Sequence, residues 1–271
     1  MLTIDEIRSA IGEKAPGKWI PGETAVWQRL SVEGATSGLF GLKVGSGVGQ
    51  LQAAADDMDS FGAPPLPSSF DWRHQDGGRL HPMRDQGLNC GSCVAFATTA
   101  VVEATHWITT GNAQQLSEAE LFHCNGGDCD SGWGLAAGLA AATKGMAPLS
   151  KAPWSEQVNC FGCDPVVRVT RFVERTSIDA RKRAVVNAPV VGGMKVYEDF
   201  SAYTGGTYQW VTGGFRGNHA ICVVGYDDGE GYWIARNSWG SGWGEGGYFK
   251  IAYGDCGIED LPFYSCETQP L

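Results

Sequence analysis

Cys93 stands at the end of a polar, Gly-rich turn, Gln86-Gly87-Leu88-Asn89-Cys90-Gly91-Ser92, and opens the apolar run CVAFATTAVVEATHWITT. A thiol in the first turn of a helix faces free backbone N–H groups and the positive end of the helix dipole. Both favour the thiolate, which is the nucleophilic form. Gln86 lies upstream in the same turn, and its amide can donate to an oxyanion beside the Cys93 N–H. A thiolate nucleophile needs an acid–base partner, and the chain has five histidines. His219 opens the strand-like run HAICVVGY, and Asn237 and Trp239 follow within ARNSWG. Asn237 can hold the His219 ring in one tautomer, and Trp239 can keep water away from that bond. His74, His81, His106 and His123 have no such companions and read as ordinary structural residues. Cys93, His219 and Asn237 are thus candidate nucleophile, base and orienter.

These groups need a scaffold that brings distant segments together. Residues 93–110 are apolar on nearly every face and predict a buried helix closed by Gly111-Asn112. Ser117-Glu118-Ala119-Glu120 has the form of a capping box for a short helix through Phe122. Gly134–Thr143 and Ser177–Asn187 predict two more helices. After Pro189 the pattern changes to short apolar or alternating runs between Gly-rich turns. Val190–Val196, Ala220–Tyr226, Tyr232–Arg236 and Gly247–Ala252 read as strands of an antiparallel sheet or barrel. Helices followed by strands make an α+β chain. Residues 1 to about 64 stand apart. They carry no cysteine, Ile4, Ile7 and Ile11 mark one amphipathic helix, Gly45–Gly49 interrupts the segment, and Gly62-Ala63-Pro64-Pro65-Leu66-Pro67 reads as an extended linker.

The chain has 271 residues, 43% of them hydrophobic and 18% charged, which excludes a disordered composition. Its net charge of −10 disfavours nucleic acid or anionic lipid as a partner. No apolar run approaches the roughly 20 residues of a membrane span. Nine cysteines is an odd number, so at least one thiol has no partner within the chain. The opening MLTIDEIRSAIGEK lacks the apolar stretch of a signal peptide, so the expectation of an oxidising compartment rests on the cysteines. Cys90 and Cys93 with Cys160 and Cys163 could pair up around zinc, but their separation far exceeds the roughly 15–20 residues usual between such pairs. No metal or cofactor is expected.

Three segments, QGLNCGSCVAF, NHAICVVGY and NSWGSGWGEGGYFKI, resemble the active-site segments of papain-like cysteine peptidases. Leu66-Pro67-Ser68-Ser69-Phe70-Asp71-Trp72-Arg73 resembles the start of the mature enzyme in that family, and the likeness runs over about residues 66–266. The leader, with Trp19-Ile20-Pro21-Gly22, looks more like the short prosegment of the cathepsin B branch. The resemblance implies an inhibitory prosegment at 1–64, a left helical domain at 65–188 that begins with the N-terminal strand of the mature enzyme, and a right β-barrel domain at 189–271, with the cleft between the last two. It implies Cys93 as nucleophile, His219 as general base and acid, Asn237 as orienter, Gln86 in the oxyanion hole, and a resting thiolate–imidazolium pair. The partners implied are peptide or protein substrates and the chain's own prosegment. A monomer is expected, in a secreted, periplasmic or lysosome-like setting.

The sequence departs from the family pattern at several points. Val94 stands where the family has Trp, and Gln86 is one residue further from the nucleophile than usual. Cys129-Asp130-Ser131-Gly132 replaces Cys-x-Gly-Gly, leaving Gly132 to contact the P2 backbone. Trp133, Gly134 and Ala220 are then expected around the S2 pocket, with Leu261 at its base where cathepsin B-like enzymes carry an acid. An apolar P2 preference follows. Ser155–Pro165 has no histidine, unlike the occluding loop of cathepsin B, so endopeptidase activity is expected. The family pattern pairs Cys90 with Cys129 and Cys124 with Cys160 or Cys163, of which Cys163 is taken as the partner. Cys256–Cys266 is an unusual alternative, and Cys222 is expected to be a buried free thiol. The competing readings are a catalytically silent binding protein and a transpeptidase or ligase on the same scaffold.

Overall fold

The structure is a computed structural model that describes residues 1–33, 37–44, 64–75, 77–157, 160 and 162–271. The Gly45–Gly49 run and Gly62-Ala63 of the linker lie outside the described residues. The helix that opens at Cys93 forms as its sequence predicts. Helix α3 spans Cys93–Thr110 and ends at Gly111, whose φ of 76° supplies the left-handed cap. Helix α4 (Glu118–His123) starts where the Ser117 hydroxyl accepts from the Glu120 N–H at 3.0 Å. Helices α5 (Leu135–Ala142) and α6 (Ile178–Asn187) also lie where expected. In the leader, α1 (Ile4–Lys14) buries Ile7 and Ile11 and begins with a Thr3/Glu6 capping box. A second leader helix, α2 (Ala25–Glu33), follows Thr24, whose hydroxyl caps the Trp27 N–H at 3.0 Å.

Among the described residues nine strands form one sheet: β1 Trp19–Pro21, β2 Ser69–Asp71, β3 Val167–Arg175, β4 Val190–Tyr197, β5 Tyr203–Tyr208, β6 Phe215–Asp227, β7 Tyr232–Arg236, β8 Tyr248–Ala252 and β9 Phe263–Pro270. The order is β1-β5-β8-β7-β6-β4-β9-β3, with β2 on β6. The antiparallel expectation fails at one pair, since β5 and β8 run parallel through Thr207↔Lys250 and Tyr208↔Ile251. The boundary at 188 and 189 does not separate helices from strands. β2 and β3 come from the helical half in sequence yet pair with β6 and β9.

Central strand β6 is buried on both sides, and its alternation divides two apolar cores. Ile221 and Val223 face one core with Phe200, Tyr203, Trp243 and the leader's Ile7, Trp19 and Val26. Ala220, Cys222 and Val224 face the other with Val94, Val101, Phe122 and Leu139. His219 immediately precedes this divide, opposite the N-terminus of α3. No described helix is long and apolar enough to cross a membrane.

Candidate active site

The loop before α3 is fixed on both sides. Cys90 forms a disulfide with Cys129, and the Gly91 N–H donates to Cys129 O at 2.8 Å. Asn89 donates from its backbone and its side chain to the Glu156 carboxylate at 3.1 and 3.0 Å. The longer turn between Gln86 and Cys93 is accommodated at Gly87, where φ is +82° and a side chain would overlap Glu156. Gln86 is fully buried. Its backbone N–H donates to Ser238 O at 2.9 Å, its Oε1 accepts from Ser238 Oγ at 2.6 Å, and its Nε2 donates to Cys90 O at 3.2 Å. The same Nε2 also reaches Gly38 O of the leader at 3.4 Å.

The structure brings Cys93, His219 and Asn237 together. The Ala220 N–H, one residue past His219, donates to Cys93 Sγ at 3.4 Å. His219 Nε2 lies 2.7 Å from Asn237 Oδ1. That same Oδ1 accepts from the Ser238 backbone N–H at 2.8 Å. A backbone N–H can only donate, so this atom is the amide oxygen and His219 Nε2 must carry the proton. Nδ1 is left as the nitrogen able to take a proton. Trp239 is buried, with its ring 5.0 Å from that of His219, and Phe40 of the leader lies edge-on to both rings.

The leader runs directly over this group. Burial pushes the Cys93 thiol up, against the N–H groups of Ala220, Gly41 and Val94 that favour its charge. Burial also pushes His219 down to about 4, against the Asn237 bond and the nearby Leu39 backbone. Under the leader, burial thus opposes charge on both groups, whereas the family resemblance implies a charged pair. The reason is desolvation beneath residues 38–43.

Around the cleft, Trp133 N–H donates to Gly41 O at 2.6 Å and Lys43 N–H donates to Trp133 O at 2.8 Å, a parallel bridge centred on Leu42. Gly132, with φ of 74°, permits the approach, because a Cβ there would overlap Gly41 O. Gly134 caps α5 beside Lys43. Leu42 enters an apolar hollow with Trp133, Leu135, Ala220 and Leu261, and Gly193 leaves the space that its side chain uses. Leu42, Leu135 and Gly193 went unnoticed in the sequence, as did Ser238. Only Ser238 had a signal, a hydroxyl beside the orienting Asn237.

The cysteine assignments need correction in part. Cys124 pairs with Cys160, and Cys163 is free, with its thiol toward Lys151 O at 3.9 Å. Cys160 and Cys163 are only three positions apart on one loop, so spacing alone does not choose between them. Cys256 and Cys266 are not bonded: Cys256 donates to Asp255 at 3.1 Å and Cys266 faces Thr105. Cys222 is a buried free thiol, as expected, and burial pushes it up to about 12.

The family model for papain family cysteine proteases matches residues 66–266. The chain belongs to the papain family of cysteine proteases. It is 36% identical over 225 residues to ananain from Ananas comosus, an alignment covering 77% of this chain and 63% of ananain. The chain thus spans a little under two thirds of ananain's length. Among solved structures, procathepsin B S9 from Trypanosoma congolense has a TM-score of 0.82 at 23% identity, covering 99% of both chains. Procathepsin L2 from the Tenebrio molitor larval midgut has a TM-score of 0.80 at 26% identity, covering 97% of this chain and 88% of that one. The papain-like α+β fold is therefore shared along nearly the whole chain, leader included.

Proposed function

We propose that the chain is the proenzyme of a cysteine endopeptidase, with residues 1–64 as its inhibitory prosegment, 65–188 as the helical domain and 189–271 as the β domain. The observation carrying this reading is the convergence of Cys93, His219 and Asn237 beneath a leader whose Gly41 N–H faces the thiol. Once the leader departs, His219 Nδ1 takes the Cys93 proton and Sγ attacks the scissile carbonyl carbon. The oxyanion takes hydrogen bonds from Gln86 Nε2, now released from Gly38 O, and from the Cys93 N–H. The imidazolium gives its proton to the leaving amine, and water, deprotonated by His219, hydrolyses the thioester.

Leu42 in the hollow above Leu261 supports an apolar P2 preference, with Gly132, Trp133, Gly134 and Ala220 lining the approach. The absence of histidine from Ser155–Pro165 supports cleavage within chains. The short leader, with Trp19-Ile20-Pro21-Gly22, is the sequence feature behind a cathepsin B-like reading. Two disulfides support an oxidising, secreted or lysosome-like compartment. The protein acts as a monomer on peptide or protein substrates.

The test is turnover of fluorogenic peptides with Leu or Arg at P2, before and after leader cleavage, with Cys93→Ala as control. Turnover that needs Cys93, rises on cleavage and favours Leu is expected. No Cys93-dependent turnover after cleavage would reject the enzyme reading, and products extended by an added amine would replace hydrolysis with transfer.

A further inference from the structure

Behind Asn237, on the side away from the cleft, lies a buried cluster of charges. Arg84 donates to Glu103 Oε1 at 2.7 Å and to Glu118 Oε1, and Leu116 N–H also donates to Glu103 Oε1, at 2.6 Å. Arg236 stands beside them, donating to the carbonyls of His81 and Pro82. Two polar atoms here have no partner among the described residues, Glu118 Oε2 and Asn237 Nδ2. Glu118 is 2% exposed and Asn237 4%. Leaving such atoms unsatisfied in the interior is costly, more so for a charged group.

Both residues line one cavity of about 10 Å³, together with Arg84, Glu103, Arg236 and Ser238. That is room for a single water. The two orphan atoms have opposite needs, since Nδ2 must donate and Oε2 must accept. A cation would meet the amide hydrogens, and an anion would meet the carboxylates. A water satisfies both atoms at once.

We propose that one buried water bridges Asn237 Nδ2 and Glu118 Oε2, making Glu118 a positioning residue for the His219–Asn237 pair. The water accepts from Nδ2 and donates to Oε2, so a continuous relay runs from His219 Nε2–H through Asn237 and the water to Glu118. Each link polarises the next, and a carboxylate at the far end strengthens Asn237 Oδ1 as an acceptor. The relay thus favours imidazolium once the leader has gone. The groups facing Glu118 are Arg84, Glu103 and Arg236; the titratable group facing His219 is Cys93. The kinetic consequence rests on the protease reading above, whereas the water itself does not.

Two measurements test the proposal. A crystal structure of the full chain, at a resolution that shows ordered water, should place one water within hydrogen-bond distance of both Glu118 Oε2 and Asn237 Nδ2. A cavity that is empty, collapsed or filled by a side chain overturns the proposal, whether or not the chain turns over peptides. In the processed protein, Glu118→Gln should lower kcat about tenfold and bring the alkaline limb of the kcat/KM profile to lower pH. KM should stay within about twofold. Glu103→Gln, in the same charge cluster, should lower thermal stability to a similar degree and leave kcat and the profile in place. Equal kinetic losses in the two variants, or loss of stability alone, would reduce Glu118 to a structural role and reject the relay. A wild-type chain without Cys93-dependent turnover would reject the protease reading and leave the crystallographic result to decide.

Discussion

Residues 4–30 and residues 38–43 hold the same body in different ways. The first stretch inserts large apolar groups. Ile7, Ile11, Trp19, Val26 and Leu30 join the core of the sheet, and Trp19 packs edge-on against Tyr208 at 5.2 Å. The second stretch also buries Leu39 and Leu42 and packs Phe40 on His219, but its closest approach is backbone on backbone, with a Gly41 side chain excluded by Gly91 and Gly132 closed off by Gly41 O. Apolar area contributes in both stretches, whereas the close fit over Cys93 depends on the missing side chains of Gly41 and Gly132. In the proposed reading, then, docking of the leader and concealment of the thiol can be broken separately.

The largest expected effect comes from the anchor. Trp19→Ala should cost about 3–5 kcal/mol in urea unfolding of the full chain and speed alkylation of Cys93. A change below about 1 kcal/mol would shift the anchor away from the sheet.

Acid should come next. His219 is held down to about 4 under the leader, against about 6.5 for a free histidine. The uncovered state binds more protons between these values. The cover is therefore fully favoured above about pH 6.5 and weakens by up to about 3 kcal/mol as pH falls toward 4. Cys93 alkylation in the uncleaved chain should accelerate over that window, and an iodoacetamide rate that is flat after correction for thiol ionisation would contradict this.

Gly41→Ala is expected to cost about 1–3 kcal/mol locally, because the overlap is with backbone. Its signature is a thiol that reacts faster while the tryptophan fluorescence of the docked anchor is retained. If the leader undocks altogether, the two regions are one cooperative unit. The smallest effect is expected for Leu42→Val, about 1 kcal/mol, read as weaker inhibition by the leader added in trans to processed enzyme. An unchanged inhibition constant would remove Leu42 from the grip.

The candidate catalytic residues were legible because each lies in a local pattern: a thiol at a helix start, a histidine at a strand, an asparagine before a tryptophan. Helix α3 was equally plain from its unbroken apolar run. The pairing of Val167–Arg175 with Phe263–Pro270 was not, because it joins segments far apart in sequence and its ladder slips between Val169 and Arg171. Strand β1 was hidden by its three-residue length and by Pro21, which suits an edge and argues against a strand interior. The entry of Leu42 into the hollow has no local signature at all, since it depends on where Gly193 and Leu135 meet. The upward shift of Cys93 and the downward shift of His219 arise from burial, which the motifs do not encode.

Strands from before residue 189 pair with strands from after it within the one sheet: β2 lies on β6, and β3 lies against β9. This makes a clasp. Hinged opening of the cleft would have to tear two hydrogen-bonded ladders before the walls could part.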